Sequence, residues 1–483
     1  MPPEPKSENP QCHVHDKVGF WEAENIRQNV CVNDLPLNEH TDGKPYCLFH
    51  LPTQDKDIDK FEESFRARLD TVEQKLAAIE ELPGEEREES ESELSYDFRY
   101  VWFPAQVTLV NYKFQVEAKF SSATFSSHAD FFSARFSSDT YFSSATFSSS
   151  TDFSSATFSS ETDFSSVTFA SSTNFSRATF SSIAYFYSVK FSETSQIFFR
   201  QTKFCGHINF QYAVFAGYVA FEGKGGENVF IENKEENHEA ILNLQDARLE
   251  KPERISFHRV RLRPNWFVNT DSRKMIFIDI RWHNLSAKSD NSNIAAEIES
   301  LEKREVSEPS RLLEIACRQL GVNAEENNRY EEASQFRYMA METKRLEYWG
   351  QGRFWTLNWW YRFSSGYGES WKRGALVLLG VLLFFGLLYW SPSATFDYGE
   401  QKNDAVVSDA IEKESDGARK YDARFHRMSL GEGLVHSLYV AALQRPEPKA
   451  EGTLTRFFII LETIFAPLQA ALLALAIRRK FMR

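Results

Sequence analysis

AKFSSATFSSHADFFSARFSSDTYFSSATF, residues 118–147, returns a phenylalanine at every fifth or sixth position. The beat runs from Phe98 to Phe221, slips by two residues around Ser195 and resumes at Phe199. Its regular centre is Phe120, Phe125, Phe131, Phe136, Phe142, Phe147, Phe153, Phe158, Phe164 and Phe169, the expected core. Two residues before most of these stands a small or β-branched residue, such as Ala118, Ala123, Ala129, Thr140 or Thr151. Nearly everything between is Ser or Thr. Neither a helix, with period 3.6, nor a flat strand, with period 2, fits. A squared-off coil does, if each side places one large and one small side chain inward and turns at a polar corner.

This arithmetic resembles the pentapeptide-repeat family, whose units read small-x-Phe/Leu-polar-polar. The resemblance implies a right-handed quadrilateral β-helix over residues 98–222. This chain departs from the family pattern in alternate units, where His128, Asp139, Ser150, Glu161, Ser172 and Ile183 are a sixth residue. Two five-plus-six pairs make a 22-residue turn with the extras at opposite corners, and five to six regular coils are expected. A Ser-rich linker would lack so strict an aromatic period.

At 483 residues the chain needs several modules, and its net charge of −13 is concentrated in the acidic run between Glu85 and Glu93. Between Phe98 and Phe221 seven acids face eight bases, so the rod itself is close to neutral. That argues against a DNA-mimicking binder of topoisomerases, which needs an acidic stripe. Five Cys in this length are no disulfide framework, and the polar, Pro-rich Met1 to Pro10 reads as no secretory signal.

Residues 1–55 read as a zinc-binding knot. Cys12, His13, His15, Cys31, Cys47 and His50 crowd together although Cys and His are otherwise sparse. Cys47-Leu-Phe-His50 is a Cys-x-x-His knuckle, and so small a segment needs a metal in order to fold. Similar stretches open other pentapeptide-repeat proteins, a resemblance that implies Cys12, Cys31, Cys47 and His50 as structural ligands, with His15 as the alternate to Cys31. Within residues 56–97, Ile58, Phe61, Phe65, Leu69, Val72, Leu76 and Ile79 form one apolar helix stripe, stopped at Pro83-Gly84. The acidic run then reads as a solvated hinge.

Residues 223–300 keep the five-residue spacing only in fragments, Leu244 with Leu249 and Phe257 with Leu262, and read as a degenerate solenoid end and cap. Residues 301–370 read as a helical hairpin, similar to a single tetratricopeptide-like pair, followed by the aromatic cluster Trp355, Trp359, Trp360, Tyr361 and Phe363 of a membrane boundary.

Residues 371–483 read as a two-helix transmembrane domain. Gly374–Trp390 carries no charge, with Lys372 and Arg373 before it and Tyr389 and Trp390 as a far-end belt. Phe457–Ile477 is the second span, ended by Arg478, Arg479 and Lys480. Basic residues at the near end of one and the far end of the other imply cytoplasmic termini. Between them, residues 434–450 hold an apolar stretch too short to span, a re-entrant segment like that of two-helix cation channels. No Thr-x-Gly-Tyr-Gly filter accompanies it, so Gln444, Arg445, Glu447 and Lys449 are the candidate pore-lining residues. Glu462 joins them if it faces a partner or a water-filled path; alternatively it reaches the headgroups. His436 reads as a packed polar residue. The segments Arg318-Gln-Leu, Ser365-Gly-Tyr-Gly-Glu and Pro467-Leu-Gln-Ala-Ala resemble bacterial pentapeptide-repeat membrane proteins with an ion-channel-like end.

No phosphate-cradling Gly loop, nucleophile–base pair or His-Glu-x-x-His helix appears, so no enzyme is expected. The expectation is an oligomeric pore of the inner membrane, a tetramer by analogy, in contact with lipid and without nucleic acid. The alternative is a membrane-tethered scaffold whose solenoid docks a cytoplasmic protein.

Overall fold

A computed structural model describes residues 38–39, 45–52, 56–224, 229–233, 238–283, 285, 291–350, 356–391, 394–397, 428–444, 447–450 and 452–481. The chain divides into two compact units, Met1–Phe336 and Arg337–Arg483.

In the first unit, strands of two to five residues form four parallel sheets of five, seven, seven and eight strands. Arg135 pairs with Thr157, Thr140 with Thr162, Thr146 with Thr168 and Thr151 with Thr173, an offset of 22 on every side. The solenoid makes about eight turns. Strands at Leu242–Asn243, Arg248–Leu249, Ile255–His258 and Ile276–Ile278 carry it past the last regular coil.

Two kinds of corner alternate. At the five-residue corners Ser122, Ser133, Ser144, Ser155 and Ser166 have φ between 55° and 61°. Ala123 N–H donates to the Phe120 carbonyl at 3.0 Å, closing a type II-like turn. A left-handed Ser costs about 1–2 kcal/mol, and the coil-to-coil bond from Ser122 N–H to the Ser143 carbonyl, 2.8 Å, holds it there. The six-residue corners carry the extras: His128 Nδ1 lies 2.9 Å from the Ser150 carbonyl, and Asp139 accepts from the Glu161 N–H at 3.2 Å. The two-residue slip is a local bulge. Thr173 pairs 24 positions on with Ile197, and Gly217 packs so closely beneath that a Cβ there would come within 2.5 Å of the Ser192 and Ser195 carbonyl oxygens.

Inside, the rings stack in register. Phe131, Phe153, Phe175, Phe199 and Phe221 follow one another at 4.8, 5.1, 5.0 and 4.8 Å, all within 9° of parallel. Neighbouring ladders meet edge to face, as Phe142 does with Phe153 at 5.6 Å and 78°. Each ring buries about 150–250 Å². The repeat therefore stabilises each coil both through its own rings and through those of the next coil.

Both open ends are covered. Helix α1 (Ile58–Ile79) lays Phe61, Phe65, Leu69, Val72 and Leu76 into the core. Phe65 lies 4.9 Å from Phe98 and Phe61 5.6 Å from Phe103. The acidic run departs from expectation: it forms helix α2 (Gly84–Glu93), with an Arg87–Glu91 pair at 2.8 Å, in place of a hinge. Glu is a good helix former and its charge is favourable near a helix N-terminus. At the far end lie α3 (Asn291–Glu302), α4 (Pro309–Glu326) and the start of α5 (Tyr330–Gly350). Leu320, Ala324, Ala333 and Phe336 join the solenoid core, and Phe336 meets Trp282 at 5.0 Å. Asn323 Nδ2 donates to the carbonyls of Ser272, Arg273 and Met275, which the last coil leaves unpaired by a further strand.

The second unit holds the rest of α5 with α6 (Leu357–Ser365), α7 (Trp371–Trp390), α8 (Leu430–Ala441) and α9 (Thr453–Phe481). Helices α7 and α9 are long and apolar enough to cross a membrane. Both run beyond the expected apolar stretches, taking in Lys372 and Arg373 at one end and the basic Arg478–Lys480 run at the other. Helix α8, 12 residues and about 18 Å long, cannot. It starts four residues before the apolar stretch because Ser429 and Glu432 form a capping box.

Candidate functional site in the helical unit

Helix α9 is inverted relative to a water-soluble helix. Thr455, Glu462, Ala466, Gln469 and Ala476 make its buried stripe, while Phe457, Ile460, Ile464, Phe465 and Leu468 point outward. Small and polar residues inward, large apolar residues outward, is the packing rule of helices whose surroundings are as apolar as leucine. Helix α8 sits close on α7 for the same reason: a Cβ on Gly433 would lie 2.7 Å from the Gly386 carbonyl, and one on Gly386 2.6 Å from the Leu434 side chain.

Three helices converge on Glu462. Tyr389 Oη, from α7, donates to Glu462 Oε2 at 2.5 Å. Ser437 Oγ, from α8, donates to Oε1 and lies 3.1 Å from the Leu382 carbonyl. Glu462 is fully buried. Of the expected placements, within the chain the carboxylate takes the one that faces partners, a tie between helices, because a carboxylate at this depth is costly unless donors reach it. The far-end belt is corrected, since Tyr389 is buried and only Trp390 is exposed. His436 is packed, its ring 5.0 Å from both Tyr389 and Phe396, and neither nitrogen has a hydrogen-bond partner among the described residues.

The remaining lining candidates follow α8 in the chain. Gln444, Glu447 and Lys449 are exposed, and Lys449 lies on a two-residue strand paired with Phe396–Asp397. Arg445 lies outside the described residues.

Ser365-Gly-Tyr-Gly-Glu369 is a corner. Gly366, Tyr367 and Gly368 all have positive φ, 57°, 60° and 74°, which glycine takes without strain on either side of the tyrosine. Tyr367 Oη donates at 2.9 Å to Glu342, a fully buried carboxylate that also meets Arg345 Nη2 at 2.6 Å and Arg362 Nε at 3.2 Å. Burial, then the Glu342 charge, pushes the Tyr367 hydroxyl upward from its usual pKa. The Tyr367 carbonyl accepts from Arg479 at 3.1 Å, and Gln469 Nε2 donates to the Ser364 and Gly374 carbonyls at 2.8 and 2.9 Å. Within the Gly-Tyr-Gly string the Tyr367 carbonyl is thus taken by Arg479, and the Gly366 carbonyl accepts the Glu369 N–H at 3.3 Å.

Of the metal candidates, Cys12, His15 and Cys31 lie outside the described residues, and no group of three His, Cys, Asp or Glu ligands occurs among the described ones. Cys47 and His50 sit together, Sγ to Nδ1 3.1 Å, and His50 Nε2 lies 3.2 Å from the Arg99 carbonyl. Nε2–H donation to that carbonyl leaves Nδ1 as the ring's lone-pair nitrogen, on the Cys47 side. Beside them Lys56 is buried, which lowers its pKa to about 7.

Sequence reasoning missed Tyr389, Ser437 and Glu342. The available signal was scarcity: few polar groups interrupt the apolar helices, and those that do must find one another.

A family model described as pentapeptide repeats (9 copies) matches residues 142–190. The solenoid contains pentapeptide repeats. No curated protein and no solved structure matches the chain. The matched stretch lies in the regular coils, where the Phe ladders of this pentapeptide-repeat solenoid run without interruption.

Proposed function

We propose that the chain is a multi-pass protein of a bacterial inner membrane, with both termini and a right-handed pentapeptide-repeat solenoid in the cytoplasm. Its helical unit assembles, as a tetramer by analogy with two-helix channels, into an ion-conducting pore without a K⁺-type filter. It has no catalytic role and binds no nucleic acid.

The observation that carries this reading is the inverted helical unit. Only 22% and 17% of the most apolar windows of α7 and α9 are buried, whereas a core helix would be mostly covered. Between them packs a helix too short to span, a backbone arrangement tolerated at membrane depth only where protein or water surrounds it. Planar-bilayer recording of the purified chain tests it. Discrete conductance steps are expected, and a bilayer that stays closed under every voltage and tension overturns the pore.

A tethered scaffold is the second reading, favoured by the closure of Glu462 onto donors of its own chain. In that case the Ser/Thr faces of the solenoid dock a cytoplasmic protein. A monomer in detergent supports it over the pore.

We also propose one structural zinc ion, held by Cys12, Cys31, Cys47 and His50, with His15 as the alternate to Cys31. The lone pair of Nδ1 beside the Cys47 thiol fits a ligand pair. Atomic absorption should find one zinc per chain and none in Cys47→Ser.

A further inference from the structure

The geometry points to a binding site for the headgroup of an anionic phospholipid, in the cavity between α6 and α7. The inference rests on the membrane reading above. The cavity, about 340 Å³, is lined by Trp359, Arg362, Phe363, Arg373 and Val377. Two of its lining residues are arginines, and its wall is largely apolar.

Glu342 meets both Arg345 and Arg362. Arg373 has no carboxylate among the described residues; its guanidinium has a single hydrogen bond, to the Arg362 carbonyl at 3.4 Å. Lys372 and Arg373 also lie in the first turn of α7, where the helix dipole is already positive. Cations there oppose the dipole, and an anion held between them reverses the sign. A phosphodiester offers the oxygen pairs that guanidinium forks bind best.

The setting selects lipid over a free anion. Helix α6 exposes Leu357, Trp360 and Phe363, with Leu357 84% exposed, as an interfacial helix does. Phe363 belongs both to that face and to the cavity wall, and Val377 lies in the apolar length of α7. A headgroup at the guanidiniums therefore has apolar surface beside it for its glycerol and chains. Basic pockets between membrane helices are used in this way.

Native mass spectrometry of the full chain in non-ionic detergent, with equimolar phosphatidylglycerol and phosphatidylcholine, tests the site. Two charge-assisted contacts should give the wild type a roughly tenfold preference for phosphatidylglycerol. The double variant Arg362→Gln/Arg373→Gln should lose it. Arg373→Gln alone, which leaves the Glu342 network intact, should lose most of it, and Lys303→Gln, in the solenoid cap, none. Equal retention of both lipids by the wild type, or an unchanged preference in Arg373→Gln and the double variant, overturns the site. So does loss of the preference to millimolar inorganic phosphate, which would mark a free-anion site. Carbonate extraction separates the two readings: a chain that washes off ends the membrane reading, whereas a chain that stays yet shows no preference ends the lipid site alone.

Discussion

Lys56 donates to the Leu48 and Phe49 carbonyls at 3.0 and 3.2 Å and to that of Trp102, with the Phe61 ring 4.5 Å from Nζ. One ammonium thus fastens the Cys47–Leu51 turn to the first coil. Burial lowers its pKa to about 7, against about 10.4 in an unfolded chain. The sign follows. Between pH 7 and 10 the unfolded chain holds a proton that the folded chain does not, so stability rises with pH. Below pH 7 both forms are protonated, and the cost of burying the charge is present in full. Thermal unfolding followed by circular dichroism should show a midpoint that climbs from pH 7 to 9, by at most about 1.4 kcal/mol of stability per pH unit. Lys56→Met, which keeps the stem packing and removes the titrating group, should be flatter, and at pH 9 less stable, since the carbonyls lose their donor. A wild-type profile no steeper than that of the variant removes the claim.

Glu462 shows what the helices of the second unit require as elements. Removing its carboxylate leaves Tyr389 Oη without its acceptor and Ser437 Oγ with only the Leu382 carbonyl. Such a loss costs about 1–3 kcal/mol. Glu462→Ala should therefore lower the helical melting midpoint in detergent, and Glu462→Gln, which keeps an acceptor, should recover most of the loss. If the group lined a path instead, the Ala variant would alter conductance and leave the melt in place. The same cluster marks the limit of what periodicity reveals. The Phe ladders were legible because every coil side demands one large side chain, so the spacing itself is the geometry. The stripe of α1 was legible for the same reason. Tyr389 and Glu462 are 73 positions apart on different helices, and no period links them. The helical state of the Glu85–Glu93 run was hidden differently, because a charge run reads as solvated whether it is helix or loop.

At the scale of the whole molecule, charge and cysteine placement together make the proposed orientation testable. Lys372 and Arg373 precede the apolar length of α7, and Arg478, Arg479 and Lys480 end α9, so the basic flanks lie on the outer sides of the two spans in chain order. Retention of such flanks in the cytoplasm puts both termini there and the segment between α7 and α9 on the other side. All five cysteines, Cys12, Cys31, Cys47, Cys205 and Cys317, precede α7. The wild-type chain should therefore resist a membrane-impermeant maleimide in spheroplasts and react only after lysis, where the half-buried Cys205 is the most accessible of the described cysteines. Ser408→Cys, which places a thiol between the spans without disturbing any native cysteine, should label from outside in intact spheroplasts. Labelling of the wild type from outside, with Ser408→Cys adding nothing, would invert the protein. The solenoid would then face away from the cytoplasm, and its cysteines would no longer sit in a reducing compartment suited to a zinc-ligating thiolate.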